Sequence, residues 1–275
     1  MRSRGDNINS VGCIKLGPIT DNNRGLKHTQ SRKAYPAAKV GMLCCRCCQT
    51  DKRAMHYDTS NPDHGMQFDP FKALVVPRPI GWISTTSESG QHNLAPFSFF
   101  NALSDKPPFL AASIANGKDS VVNILHTGEC TVCVAHRELM DAMNMSSAAV
   151  DTSVNEFALA ELDTEASTFV KPPRVANCPA SFECRLWQSI PLPVNKESGT
   201  GFTTVILEVV GVYINDKFIV DGRVDIPSMQ PVARLGYMDY AVINENNMFE
   251  LNRPAVAEDG KTATLDTTPW DGKYR

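Results

Sequence analysis

The chain lacks any apolar run long enough to cross a membrane. Its longest, VILEVVGVYI (Val205 to Ile214), is interrupted by Glu208 and reads as a strand. The opening residues, MRSRGDNINS, carry charges with no apolar segment behind them, so nothing there reads as a secretory signal. No Gly-rich dinucleotide fingerprint is present, which leaves a nicotinamide cofactor without a pocket of its own. There is no Ser-His-Asp set and no pair of carboxylates placed for acid/base work. His92, His126 and His136 fall on different elements without ligand spacing, so they read as core or surface histidines and not as metal ligands. No internal repeat is visible.

What is present is ordinary for a globular chain: 275 residues, 42% hydrophobic and 21% charged, with a net charge of −3. That net charge hides an asymmetry. Residues 1–54 carry 11 Lys/Arg against 3 Asp/Glu, and the remainder 16 against 27. The mildly acidic body has no general pull toward nucleic acid. The basic leader (residues 1–54) is polar and aperiodic and is broken by Pro18 and Pro36, so it reads as an unstructured extension. A mitochondrial targeting peptide is the alternative, since the leader is rich in Lys and Arg and poor in acids. Four of the nine cysteines sit in CCRCC (Cys44, Cys45, Cys47, Cys48), within this leader. They could take a soft metal or an acyl chain, but no second ligand pair follows, and an incidental tail explains them as well. With no export signal, reduced thiols in a cytoplasmic setting are expected.

The folded part is expected over residues 66–253, with a polar tail over 254–275. Strands are predicted over Ile80–Thr85, His92–Phe99, Phe109–Ala115, Glu129–His136, Phe182–Ile190, Thr203–Asp216 and Met248–Arg253. In KDSVVNILHTG, Val121, Ile124 and Leu125 repeat at helical spacing and Gly128 is a stop signal. RELMDAMNMSSAAV suits a second helix. About seven strands that do not alternate with helices imply a mainly β, α+β fold: an antiparallel barrel with helical excursions.

Three stretches carry candidate chemistry. Lys118, Asp119 and Ser120 open a helix, where free N–H groups, an ammonium and a hydroxyl suit a phosphate; a plain helix cap is the competing reading. In WISTTS, alternation puts Ile83 and Thr85 on one face and Trp82 and Ser84 on the other, with hydroxyls at the strand's end. In NLAPFSFFN, Pro96 removes a ladder donor and so belongs at an edge or a bulge, where a flat ligand can meet backbone groups. Phe97, Phe99 and Phe100 suit a core, whereas Ser98 between them does not.

Taken in order, PRPIGWIST, NLAPFSFFN, Ser104 followed by Pro107 and Pro108, KDSVVNI and TGECTVCV resemble the flavin reductase-like family of FMN-binding split β-barrels, the flavoredoxin-type group. The resemblance is dense from Pro77 to Val134. It thins through FECRL, VGVYI and PVARLG, and it reaches neither the leader nor the last twenty residues. It implies that Ser84 and Thr85 contact the ribityl phosphate, and that the backbone of Ala95, Pro96, Phe97 and Ser98 borders the isoalloxazine ring. It further implies that Lys118, Asp119 and Ser120 complete the phosphate site with support from Asn123. The resemblance also implies Arg234 as a further contributor, on its own chain or from a partner subunit. A homodimer is implied as well.

One departure concerns Cys130 and Cys133, which stand where the family usually has Phe and Asn. As a C-x-x-C they hint at redox chemistry, but residues three apart on a strand face opposite ways, so no dithiol pair is expected. The resemblance implies an FMN-dependent oxidoreductase using NAD(P)H, with no catalytic side chain of its own because the cofactor carries the chemistry. An electron carrier served by a redox partner, or a non-catalytic flavin-binding protein, would carry the same motifs.

Overall fold

The computed structural model describes residues 55–60 and 64–270. The basic leader, with its Cys44–Cys48 cluster, lies outside the described residues. From Tyr57 onward the chain forms helix α1 (Phe71–Leu74) and strands β1 (Arg78–Pro79), β2 (Gly81–Thr86), β3 (His92–Phe97), β4 (Phe100–Asp105) and β5 (Pro108–Ala115). Helix α2 (Asp119–Thr127), strand β6 (Glu129–Val134) and the short helices α3 (Met140–Met145) and α4 (Glu156–Leu159) follow. Two-residue strands β7 (Thr164–Glu165) and β8 (Arg174–Val175) lead into the long strands β9 (Ala180–Pro191) and β10 (Phe202–Ile214). The remaining elements are short: β11 (Ile219–Val220), β12 (Arg223–Val224), α5 (Ile226–Met229), β13 (Val232–Arg234), β14 (Tyr240–Val242), β15 (Ala255–Val256) and β16 (Ala263–Thr264).

Seven strands form one antiparallel sheet in the order β3-β2-β6-β9-β10-β5-β4. Strands β3 and β4 end this order at opposite sides, yet only Ser98 and Phe99 separate them in the chain. Three Cα–Cα steps span at most about 11 Å. A flat sheet would hold its first and seventh strands roughly 29 Å apart. The sheet must therefore curl until its edges meet at this corner. Gly81 marks the closure: a Cβ there would stand 2.8 Å from the ring of Phe100. The result is an antiparallel barrel split along the seam between β3 and β4, the architecture expected from the sequence.

Curling gives the sheet two apolar sides. Inside, Ile83 of β2 meets Leu110, Ala112 and Ile114 of β5, Val132 of β6, and Val205 and Leu207 of β10. Val121 and Ile124 of α2 close this core, with Phe97 and Phe100 packed against it. Outside, Trp82, Leu94, Cys133 and Ala135 are covered by Met143 of α3, Phe157 of α4, Val175 and Val232. Strand β2 is thus buried along its whole length, on both the faces that alternation assigned. Helix α2 ends at Gly128, whose left-handed backbone (φ 74°) lets its N–H reach Ile124 O. Leu125, expected on the buried face, is 44% exposed.

Several expectations change. Met248–Arg253 is not a strand: it pairs with no other segment among the described residues, and Phe249 and Leu251 are exposed. The polar tail instead contains the β15–β16 hairpin. Strand β4 falls where the sequence carries no strand signal. The helix expected over RELMDAMNMSSAAV stops at Met145, after which the chain turns irregular. Among the described residues no helix is long and apolar enough to cross a membrane.

Cys130 lies in the inner core and Cys133 in the outer one, as alternation requires. Each faces a different thiol. Cys130 stands opposite Cys184 across β6 and β9. A hydrogen bond with Cys178 and then burial push the Cys133 thiol up, and a hydrogen bond with Cys130 and then burial do the same for Cys184.

His136 is 2% exposed, and neither ring nitrogen has a hydrogen-bond partner among the described residues. Burial pushes its pKa below the ordinary value of 6.5, against a smaller opposing pull from Glu138, 3.6 Å from Nε2. The unfolded chain then binds the proton more readily than the native one, so stability falls as pH drops below 6.5. His136→Leu removes this proton linkage and forfeits no hydrogen bond. Thermal unfolding should show a shallower loss of Tm from pH 7 to pH 5 in the variant than in the parent. Equal slopes would contradict the assignment.

Candidate functional site

Pro96 is accommodated because β3 is an edge strand. Along its outer side the Leu94 N–H donates to Glu156 Oε2 at 3.2 Å. Pro96, two residues on and so on the same backbone side, has no N–H to satisfy. The strand edge therefore lies open without unpaired donors around Ala95, Pro96 and Phe97.

Helix α2 begins beside this edge. Lys118 holds the N-cap position in an extended conformation (φ −73°, ψ 138°) with no side-chain capping bond. The bland reading of the triplet as a cap is thus not realised. The N–H groups of Asp119 and Ser120 have no acceptor within the helix, and the Lys118 side chain is exposed and in no ion pair among the described residues. The opening of α2 therefore presents an ammonium, two N–H groups and the positive end of the helix dipole.

A third wall is the segment after α3, Ser146 to Val150. Ser146 is anchored by Trp82, whose Nε1 donates to its Oγ at 2.9 Å, while that Oγ donates to Met143 O at 2.8 Å. The three walls enclose a cleft of about 120 Å³, with Asn93, Lys118, Ser120 and Glu156 among its lining residues.

Behind the cleft runs a chain of buried polar groups. Asn123 Nδ2 donates to Thr85 Oγ1 at 3.0 Å, and Thr85 Oγ1 donates to Asn93 Oδ1 at 3.3 Å. Ser120 Oγ also donates to Asn93 Oδ1, at 2.7 Å, and Asn93 Nδ2 donates to Glu156 Oε1 at 2.9 Å. This chain ties α2, β2, β3 and α4 together. Buried amides and hydroxyls of this kind are stable only when each finds a partner.

The residues singled out in the sequence divide into three sets. Ala95, Pro96, Phe97, Lys118, Asp119 and Ser120 line the cleft together. Thr85 and Asn123 stand behind it in the polar chain. Ser84, Ser98 and Arg234 lie elsewhere. Ser84 is on the opposite face of β2 from Thr85, fully buried, its Oγ without a partner among the described residues. Ser98 Oγ accepts from Arg78 Nε at 3.4 Å, in the link between β3 and β4. Arg234 is in the small sheet β1-β13-β14, where its guanidinium donates to Tyr237 O and Tyr240 Oη and sits 4.5 Å from the Tyr240 ring.

Sequence reasoning missed Asn93, Glu156 and the Ser146–Val150 wall. Asn93 sits in the quoted NLAPF run, and its register opposite Thr85 was the available signal. Nothing near Glu156 sets it apart, since SVNEF reads as an ordinary capped helix start.

Residues 73–224 match the model of the flavin reductase like domain. A protein of Aquifex aeolicus is 37% identical over 169 residues, which cover 59% of this chain and 83% of that one. Nitrilotriacetate monooxygenase component B from Bacillus cereus has a similar structure, with a TM-score of 0.64, 28% identity, and coverage of 72% of this chain and all of that one. An FMN-binding protein from Thermus thermophilus shares the fold at 15% identity and a TM-score of 0.54, covering 71% of this chain and 99% of that one.

Removing the hub of the polar chain should be costly. Asn93→Ala leaves Ser120 and Glu156 each short of a buried partner, and unfolding in urea should show a loss of about 2–4 kcal/mol. A change below roughly 0.5 kcal/mol would mean that the chain contributes nothing to the fold.

Proposed function

The chain belongs to the flavin reductase-like family, and on that premise we propose that it is an FMN-dependent oxidoreductase that draws reducing equivalents from NADH or NADPH. The observation that carries this reading is the opening of α2 beside the Pro96 edge: an ammonium and two N–H groups without intrahelical acceptors, next to an open strand edge. These groups suit the phosphate of a flavin nucleotide. Lys118, Asp119 and Ser120 line one wall of the cleft, which suits it to the phosphate end, and Ala95, Pro96 and Phe97 line another. The ring would therefore border the half-buried backbone of Ala95, Pro96 and Phe97.

When bound, FMN would supply the hydride and electron chemistry. The chain's own part is to hold and orient the cofactor. Lys118 and the N–H groups of Asp119 and Ser120 neutralise the phosphate, and Thr85 and Asn123 brace the wall behind them. The Pro96 edge offers backbone carbonyls without competing donors. A nicotinamide, lacking a Gly-rich loop, would dock on the exposed flavin face. Ser84 is walled off from the cleft by its own strand, so we leave it out of the contact set. A role for Arg234 requires a partner copy.

Lys118→Ala should weaken FMN binding by roughly ten- to a hundredfold, the worth of one charge-assisted contact. Riboflavin, which has no phosphate, should bind both proteins alike. Equal losses for the two flavins, or none, would refute the assignment. The reaction class is tested on the FMN-loaded protein under anaerobic conditions: NADH or NADPH should bleach its yellow colour. Persistent colour with both would instead favour an electron carrier served by a redox partner.

We propose a homodimer on the same premise. Leu103 of β4, Trp187 and Ile190 of β9 and Leu192 just after it are exposed apolar side chains of the kind a second copy would cover. Light scattering at micromolar concentration should report twice the chain mass, and a monomer would dismiss this.

A further inference from the structure

Glu156 is 6% exposed and pairs with no cation among the described residues. It lines the cleft with Lys118 and Asp119, so two carboxylates share that space with one ammonium. A buried carboxylate beside an anion site works against the anion unless it does something else. What it does is set a direction.

Both Glu156 oxygens accept from N–H groups, Oε1 from Asn93 Nδ2 and Oε2 from the Leu94 backbone. A carboxylate that accepts here forces the Asn93 amide to turn its NH2 toward α4 and its oxygen toward α2. That oxygen then collects the hydroxyl protons of Ser120 and Thr85, and Thr85 in turn accepts from Asn123. Every proton in the chain points toward Glu156. Ser120, although it lines the cleft, therefore has its hydroxyl proton directed away and only lone pairs left for a ligand. An anion entering the cleft finds Lys118 and two backbone N–H groups, opposed by Asp119, Glu156 and an unhelpful hydroxyl.

We propose that Glu156 is an affinity-lowering specificity residue, which by its charge and by orienting Asn93 keeps the phosphate end of the flavin loosely held. This deepens, and rests on, the reading of the cleft as the flavin phosphate site. The ligand class is an exchangeable flavin nucleotide, bound and released, in contrast to a permanently resident one.

The test is equilibrium binding of FMN and riboflavin to the full chain and its Glu156→Gln variant. In the variant, the new side-chain amide keeps the Leu94 N–H on its oxygen and presents an NH2 to Asn93. The Asn93 amide flips, its own NH2 now faces Ser120, and the Ser120 proton is released toward the cleft. FMN should bind Glu156→Gln about tenfold more tightly, with riboflavin unchanged within about twofold. Ser120→Ala should cost FMN affinity less than about twofold in the parent and about fivefold or more in the Glu156→Gln background. Equal or weaker FMN binding by a folded Glu156→Gln protein would overturn the proposal. If that variant does not fold, Ser120→Ala alone decides: a tenfold loss of FMN affinity in the parent overturns it, and no loss supports it. A Lys118→Ala control separates the two levels. Sensitivity to Lys118 with indifference to Glu156 defeats only this proposal, whereas indifference to both defeats the phosphate site itself.

Discussion

A two-residue link shapes this molecule. Strands β3 and β4 are joined by Ser98 and Phe99 alone, yet they stand at the two ends of a seven-strand order. No flat sheet can satisfy both facts. The closure that follows creates an inside for Ile83, Leu110 and Val205 and an outside that still needs cover, which α3, α4 and Val232 supply. It also leaves β3 as an edge beside the start of α2, and the cleft is formed at that meeting. Arg78 secures the corner: its guanidinium donates to the carbonyls of Lys72 (2.5 Å), Val75 (2.6 Å) and Leu235 (2.9 Å).

Where the apolar core stops, a polar chain takes over. Thr85, Asn93, Ser120 and Asn123 are all buried and all partnered with one another, and the chain ends on Glu156. Such a chain is rigid because each member has one arrangement that satisfies its neighbours. It holds the opening of α2 against the strand edge without supplying a titrating pair for catalysis. That division suits a protein whose chemistry resides in a bound group and whose side chains orient it.

How much of this was legible in the sequence depends on the range of the signal. Pro96 called for an edge, and the edge is there. Gly128 called for a helix stop, and it is one. The alternation of WISTTS correctly separated Thr85 from Ser84, yet the resemblance to a family grouped the two hydroxyls on one ligand, and the strand puts them on opposite faces. Periodicity also suggested a strand at Met248–Arg253, but alternation describes a strand only where another strand is available to pair. Strand β4 was hidden for the converse reason: its pairing partner β5 defines it, while its own residues are mostly exposed. Glu156 was illegible because its meaning comes from Asn93, 63 residues away in the chain.

The central claim is that the opening of α2, beside the β3 edge, holds the phosphate end of a flavin nucleotide. A crystal structure of the chain grown with FMN tests it most directly. The account predicts phosphate density within hydrogen-bond distance of Lys118 Nζ and of the backbone N–H groups of Asp119 and Ser120, with the ring against Ala95 to Phe97. Phosphate density at Arg234 of the same chain, or anywhere away from α2, would contradict it.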